Sequence, residues 1–113
     1  METKRQLKIS RLLQKDLGEI FQIESRGIFH GSMITVTKVH VTNDLSLARV
    51  YLSLFGPQES QVLFADINKH RKEIRHQLAT RVKNQIRAIP ELEFFIDDSL
   101  DYIDNIEKLL KSE

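Results

Sequence analysis

The sequence predicts an α+β fold with its elements in the order α-β-β-α-α-β-α. Apolar residues recur at helical spacing in four segments. Three shorter segments are rich in β-branched residues or alternate between apolar and polar side chains, as strands do. Turn-forming residues separate several of these segments. A chain of 113 residues is long enough for one domain, here residues 1–113, with one hydrophobic core.

The first helix is predicted over residues 3–23, with Thr3 as its N-cap. Its apolar side chains lie at helical spacing: Leu7, Ile9, Leu12, Leu13, Leu17, Ile20 and Phe21. Basic residues occupy much of its remaining surface: Lys4, Arg5, Lys8, Arg11 and Lys15. Residues 24–32 contain two glycines and break the helical pattern, so we expect a loop there.

Residues 33–42 are dense in β-branched side chains and predict the first strand. The apolar positions change phase within it, and a β-bulge near residues 37–38 would reconcile the two halves. Asn43 and Asp44 indicate a turn. Residues 48–54 then alternate cleanly and predict a second strand, paired with the first as a hairpin, which Gly56 and Pro57 end.

Residues 59–69 predict a short helix, and residues 72–87 predict a longer one with an apolar stripe. Pro90 ends the longer helix, because the residue before a proline is disfavoured in helical geometry. Residues 92–96 alternate as a third strand. Asp98 or Ser99 is then placed to cap a last, short helix.

The composition excludes several classes of protein. There is no cysteine, which excludes disulfides and thiolate metal sites and suits a reducing compartment. The first residues lead into an amphipathic pattern unlike a signal peptide, and no apolar run approaches the roughly 20 residues that cross a bilayer. We therefore expect a cytoplasmic protein without a membrane segment.

Charge is strongly segregated along the chain. Residues 69–87 carry seven basic side chains and one acidic one, whereas residues 91–107 carry seven acidic side chains and no basic one. The formal net charge of +1 conceals this separation. A basic helix builds a local positive potential, which is the usual footprint of a phosphate-rich partner.

The basic helix is the leading candidate site. At 100° per residue, its basic face gathers residues within about 60° of one another, opposite the apolar stripe. These are Lys69, Lys72, His76, Lys83 and Arg87. The alternative is an ordinary solvated face, although the face lacks the acidic partners that such surfaces usually mix in.

Arg71 and Arg75 would fall inside the apolar arc of a straight helix. Either their charged ends extend past the apolar surface to solvent, or the helix bends near residues 70–72 and re-aims them. A bend would present a new helix N-terminus beside arginines, where phosphate binds well. The sequence leaves both alternatives open.

The start of the first helix is a second basic candidate, formed by Lys4, Arg5, Lys8 and Arg11. Positive charge at a helix N-terminus opposes the helix dipole, so helix stability does not account for it. A solvated helix start is the alternative. On the second strand, Arg49 and Tyr51 face away from the core and could stack on bases, or simply be exposed.

The remaining polar clusters do not indicate catalysis. The acidic end groups Asp97, Asp98, Asp101 and Asp104, but it lacks the glycine and distal glutamate of a calcium loop. Asp98 and Asp101 are explained as a helix cap and an acidic residue in the first turn of that helix. None of the four histidines lies in a zinc-protease motif, and there is no phosphate loop, nucleophile elbow or dinucleotide fingerprint. We expect no enzyme, no cofactor and no metal.

Three motifs resemble one known family. Residues 90–99, Pro-Glu-Leu-Glu-Phe-Phe-Ile-Asp-Asp-Ser, are similar to Pro-Glu-Leu-x-Phe-x-x-Asp-x-Ser. Residues 39–53 resemble the hairpin pattern Val-x-Val-Ser-x-Asp-Leu-x-x-Ala-Lys-Val-Tyr-Val-Ser, and residues 74–79 match Ile-Arg-x-x-Leu-Ala. Together they resemble ribosome-binding factor A, a family of bacterial small-subunit assembly factors, over most of the chain.

The resemblance implies a single KH-like domain of type II, α-β-β-α-α-β, plus a short C-terminal helix. Its three-stranded sheet is expected to be covered on one face by helices. In this family an Ala-x-Gly triplet lies at the joint of a kinked helix pair. Here the triplet is His70-Arg71-Lys72, which replaces both small residues and adds positive charge.

The resemblance also implies a function. We expect a monomeric, non-catalytic factor that binds the immature small (30S) ribosomal subunit and its 16S rRNA, without a small-molecule substrate, and promotes rRNA maturation. The residues expected to contact RNA are Lys69, Arg71, Lys72, Arg75, Lys83 and Arg87, extended by Lys4, Arg5, Lys8 and Arg11. Two alternatives are a module that docks an acidic protein through the same helix and, more remotely, a metal-dependent nuclease at the acidic end.

Overall fold

The computed structural model describes residues 2–97 and contains six elements. They are α1 (Lys4–Glu24), β1 (Met33–Val41), β2 (Leu47–Phe55), α2 (Ser60–Lys69), α3 (Arg71–Val82) and β3 (Glu91–Ile96). The predicted α+β class and the order of these six elements are confirmed. The predicted last helix, with Asp98, Ser99, Asp101 and Asp104, lies outside the described residues.

The three strands form one sheet in the order β1-β2-β3. β1 and β2 pair antiparallel as the predicted hairpin, whereas β3 lies parallel to β2. A parallel pair needs a long crossover, and α2 and α3 supply it. Alternate strand residues are buried on one face, where they join residues from all three helices in one core.

The predicted bulge in β1 is confirmed. The register to β2 shifts between Val36 and Lys38, which leaves Thr37 without a partner in the ladder. Because side chains alternate with a period of two, this extra residue returns the next apolar residues to the buried face. Ile34 and Val36 before the shift, and Val39 after it, are therefore all buried.

The β1–β2 turn is built around Asp44. Its Oδ1 accepts hydrogen bonds from the Ser46 hydroxyl at 2.7 Å, the Ser46 amide at 3.1 Å and the Thr42 hydroxyl at 2.9 Å. These bonds, the one from the Ser46 hydroxyl foremost, hold the pKa of Asp44 below its ordinary value of 3.8. The turn also holds Leu45 in the left-handed region, at φ 63°.

A capping box begins α1 and confirms Thr3 as its N-cap. The Thr3 hydroxyl accepts from the Gln6 amide at 3.1 Å, and the Gln6 carboxamide oxygen accepts from the Thr3 amide at 2.8 Å. The Gln6 Nε2 group also donates to the Val41 carbonyl at 2.9 Å. The same side chain therefore closes the helix start and ties it to the end of β1.

The predicted extent of the long helix is wrong at its C-terminal end. We expected helix to residue 87, but α3 ends at Val82 and residues 83–90 form turns and irregular chain. The amides of Gln85 and Ile86 both donate to the Val82 carbonyl, at 2.8 and 3.1 Å, which closes the last turn. The chain turns back here because β3 must start beside β2.

Candidate nucleic-acid interface

Seven of the ten basic residues predicted to contact RNA fall into two groups, one at each end of α3. We call Lys69, Arg71 and Lys72 the joint cluster, because they surround the junction of α2 and α3. We call Arg5, Lys8, Lys83 and Arg87 the groove cluster, because they line a groove between α1 and residues 83–87. Lys72 and Lys83 are 11 positions apart, which corresponds to about 16 Å of helical rise.

His70 separates the two helices at the joint. Its backbone, at φ −97° and ψ 10°, ends α2 and precedes the first residue of α3. Its amide donates to the carbonyls of Asp66 and Ile67 at 3.3 and 3.1 Å. Its ring Nδ1 lies 2.8 Å from the Asp66 carbonyl, and the ring packs edge-to-face on Phe29. Since φ is negative, this break needs no glycine.

The break at His70 decides between the two alternatives left by the sequence. The helix does not continue straight through residues 70–72, and Arg71 is exposed at the first position of α3 instead of pointing into the core. No side chain among residues 2–97 caps the N-terminus of α3. Lys69, Arg71 and Lys72 are exposed and make no ion pair within the described part of the chain.

The groove cluster lines a concavity of about 890 Å³. Arg5 and Lys8 belong to α1, and Lys83 and Arg87 belong to the segment that follows α3. The apolar part of the lining is aliphatic: Ile9, Leu12 and Ile86. Asn84 and Gln85 add side-chain amides. The concavity exists because α3 stops at Val82 and the following chain runs alongside the start of α1.

The groove continues past its cationic residues. Arg5 and Arg87 also line a second concavity of about 440 Å³, which extends to the β1–β2 turn and to Pro90, the residue before β3. Lys4 and Arg11, also predicted to contact RNA, are exposed on α1 but line neither concavity. The structure thus brings Arg5 and Lys8 together with Lys83 and Arg87, and leaves Lys4 and Arg11 apart from them.

Arg75 also lines the second concavity, but unlike the other predicted RNA-contacting residues its guanidinium is engaged by backbone carbonyls. Its Nη2 donates to the Ile89 carbonyl at 2.6 Å, and its Nε donates to the Pro90 carbonyl at 3.0 Å. Its Nη2 also lies 3.6 Å from a carboxylate oxygen of Glu91. The guanidinium therefore fastens the chain between α3 and β3, which explains why its position falls within the apolar arc of the helix.

Arg81 is neutralised by acidic residues of α1. Its Nη1 lies 3.3 Å from Asp16 and 2.5 Å from Glu19. This pairing joins α3 to α1. The run of basic residues predicted from the sequence therefore includes one cation whose partners are 62 and 65 positions away in the chain.

On the open face of the sheet, the Tyr51 ring stacks on Phe95 with centroids 5.2 Å apart and an interplanar angle of 22°. The Nε of Arg49 lies 3.9 Å from Glu93. The pairing of β2 with β3 places these residues opposite one another. The two side chains considered for base stacking thus have neighbours within the sheet, and one of those neighbours is acidic.

The groove itself was not predicted from the sequence. Its amide and aliphatic residues, Asn84, Gln85 and Ile86, were expected to continue a helix. A usable signal is the run Lys83-Asn84-Gln85, three polar residues immediately after the buried Val82. Within residues 2–97 no group of three or more metal-binding side chains is present, and no helix combines the length and apolar character needed to span a membrane.

A helix-covered sheet with this connectivity defines the class of protein as KH-like, which solved structures of the same fold support. A family model described as ribosome-binding factor A matches residues 5–110. The chain belongs to this family.

Curated relatives agree along nearly the whole chain. Ribosome-binding factor A of Christiangramia forsetii is 46% identical over 111 residues, which cover 97% of this chain and 85% of the relative. The protein of the same name from Flavobacterium johnsoniae is 47% identical with the same coverage. That of Chlorobium luteolum is 43% identical and covers 97% of this chain and 92% of the relative.

Solved structures agree with the fold. The crystal structure of ribosome-binding factor A from Thermus thermophilus has a TM-score of 0.65 and 25% identity, over 80% of this chain and 94% of that one. A homology model of the Thermus thermophilus factor, fitted into a cryo-EM map of its complex with the 30S subunit, has a TM-score of 0.58 and 30% identity. The match covers 74% of this chain and 86% of that one.

Proposed function

We propose that this protein is an assembly factor of the small ribosomal subunit, which binds the immature 30S particle and its 16S rRNA in the cytoplasm. The observation that carries the proposal is the grouping of exposed cations at both ends of α3, on a chain that belongs to the ribosome-binding factor A family. The Thermus thermophilus relative, seen in a 30S complex, supports the choice of particle.

The proposed action is conformational and involves no catalysis. Lysine and arginine side chains that contact phosphates release counterions, so the affinity falls steeply as salt rises. Binding energy of this kind stabilises the RNA arrangement that presents its phosphates to both clusters, and so shifts the population of the maturing particle toward that arrangement. The contacts are assigned to the predicted residues other than Arg75, whose guanidinium is engaged by backbone carbonyls.

The test is co-sedimentation with separated small subunits, large subunits and assembled ribosomes at low and moderate salt. We expect retention on free small subunits. A variant carrying Arg71→Glu, Lys72→Glu and Lys83→Glu should lose this retention. In the matched control, three exposed basic residues elsewhere on the surface, Lys15, Arg26 and Lys38, are each replaced by glutamate. The net charge of the control therefore changes by the same amount.

The control variant should still bind small subunits. Equal binding of the intact protein to every particle would reduce it to a general polyanion binder and contradict the proposal. Saturable binding to ribosomal proteins stripped of RNA would favour the alternative, docking of an acidic protein by the same helix. Equal loss in the two triple variants would show that net charge, and not this surface, determines binding.

A further inference from the structure

We propose that the groove between α1 and residues 83–87 binds an unpaired strand of RNA, and that the joint cluster contacts only phosphate backbone. This inference rests on the proposed function and adds which form of RNA each cluster takes. It follows from the shapes of the two basic surfaces, which differ although their charges are alike.

The groove has cations on both of the segments that form it. Arg5 and Lys8 of α1, together with Lys83 and Arg87 after α3, line a space of about 890 Å³, and none of the four makes an ion pair within residues 2–97. Clefts that enclose small organic molecules measure about 300–1,000 Å³. The groove therefore accommodates one or two nucleotides, whereas a double helix is too wide to enter it. A single chain of phosphates can approach both sides at once.

The groove also offers more than charge. Aliphatic side chains, Ile9, Leu12 and Ile86, form its apolar lining, against which the face of a base loses contact with water. Asn84 and Gln85 are exposed at its edge and carry both donors and acceptors, as the edge of a base does. Sequence-specific RNA recognition uses the edges of unpaired bases, because the major groove of an RNA duplex is too narrow for side chains.

No aromatic residue is among the residues lining the groove, so stacking on tyrosine or phenylalanine is not the source of affinity there. Arginine supplies a planar surface instead, since the guanidinium plane stacks on bases. Arg5 and Arg87 are the two arginines of the lining. Each therefore combines a charge for phosphate with a flat face for a base.

The joint cluster does not line the groove. Arg71 and Lys72 are exposed at the start of α3 and line neither the groove nor the second concavity, whereas Lys69 lines a separate concavity of about 480 Å³ beside His30. Exposed cations at an uncapped helix N-terminus attract phosphate but have no surface against which a base can pack. The joint cluster therefore suits the outside of an RNA duplex.

Two charge-matched variants test this division. One carries Lys83→Glu and Arg87→Glu, and the other carries Lys69→Glu and Lys72→Glu. The probes are a single-stranded RNA of about 12 nucleotides, within the usual size range of single-strand sites, and the same strand annealed to its complement. Circular dichroism confirms that each variant is folded.

We expect the groove variant to lose about 30-fold or more of its affinity for the single strand, and the joint variant to lose less than about 5-fold. For the duplex, the joint variant should lose more affinity than the groove variant. Equal losses in the two variants for both probes would overturn the proposal, as would a larger loss for the joint variant with the single strand.

A second variant, Asn84→Ala with Gln85→Ala, leaves all charges in place. The intact protein should prefer one of four single-stranded homopolymers, and the variant should lose this preference while its salt dependence is unchanged. Absence of a preference in the intact protein, or a preference that survives in the variant, would overturn the assignment of bases to the groove.

Co-sedimentation with small subunits, measured on the same samples, separates the two proposals. If the intact protein binds small subunits but the variants fail to show the expected order, the groove assignment is wrong and the proposed function stands. If the intact protein does not bind small subunits, the proposed function is wrong whatever the oligonucleotides show.

Discussion

His70 fixes the junction between α2 and α3 through both its backbone and its ring. Its amide and its Nδ1 both approach the Asp66 carbonyl, and its ring packs against the buried Phe29. Small residues at such a joint give freedom to bend, whereas a side chain held at two points restricts it. The exposed cations on either side of His70 therefore project from a defined break in the helix.

Gly56 is required by close packing against Ser32. A Cβ atom added at Gly56 would lie 2.7 Å from the Ser32 hydroxyl and 2.9 Å from its Cα, closer than real atoms approach. Because backbone must move to relieve this contact, we expect Gly56→Ala to lower the free energy of unfolding by about 1–3 kcal/mol. Denaturation in urea measures the change.

Gly18 provides the control for this substitution. A Cβ atom at Gly18 meets nothing within 4 Å, and the residue lies inside α1. Gly18→Ala should therefore raise the free energy of unfolding by about 0.5–1 kcal/mol, since alanine favours the helix. Similar effects of the two substitutions would show that Gly56 is not constrained by Ser32.

At the scale of elements, the chain between α3 and β3 depends on Arg75. Two of its N–H groups donate to consecutive carbonyls, those of Ile89 and Pro90. This segment also carries Arg87, on one side of the groove. Arg75 thus positions a part of the proposed RNA site that it does not itself have to touch.

We expect Arg75→Lys to lower the free energy of unfolding by about 1 kcal/mol, because lysine keeps the charge but cannot make both hydrogen bonds with one planar group. Faster hydrogen exchange of the amides in residues 86–91 should accompany the change. Arg87→Lys is the matched control and should leave stability unchanged. An unaltered stability of Arg75→Lys would instead favour a direct phosphate contact for this arginine.

Side-chain amides of α1 cover part of the free edge of β1. Gln6 donates to the Val41 carbonyl at 2.9 Å, and Gln14 donates to the Val36 carbonyl at 3.3 Å. An edge strand otherwise presents unpaired backbone groups that invite pairing with another chain. Two glutamines eight positions apart, and so on one face of the helix, therefore protect an edge that the sheet leaves open.

At the scale of the whole molecule, aromatic packing joins the core to the joint. Phe21 contacts both Phe29 and Phe94 with ring centroids 6.0 Å apart, and Phe29 contacts His70 at 5.8 Å. This chain of rings connects α1, the following loop, β3 and the α2–α3 junction. The position of the joint cluster is therefore coupled to the packing of the core.

Phe29→Ala should be severely destabilising. Phe29 is fully buried, so its removal leaves a cavity and costs about 3–5 kcal/mol of unfolding free energy. Phe55 is 77% exposed, and Phe55→Ala should change the stability by less than about 0.5 kcal/mol. Thermal and chemical denaturation of the two variants provide the comparison, and equal effects would contradict the described core.

The sequence by itself determined the features that depend on near neighbours. The order of the six described elements, the Thr3 cap and the bulge at Thr37 follow from periodicity and from residues within a few positions. The three motifs also indicated the family, because their residues keep a recognisable spacing along the chain. The RNA-contacting residues predicted from the same pattern remain proposals.

Only the tertiary structure decided where α3 ends and what surrounds each cation. Local pattern continued the helix to Arg87, but β3 must lie parallel to β2, so the chain turns back after Val82. In the sequence, Arg75 and Arg81 resemble the basic residues beside them. In the structure, Arg75 donates to backbone carbonyls, whereas Arg81 pairs with carboxylates of α1. Such partners are distant along the chain and close only in space, so periodicity cannot report them.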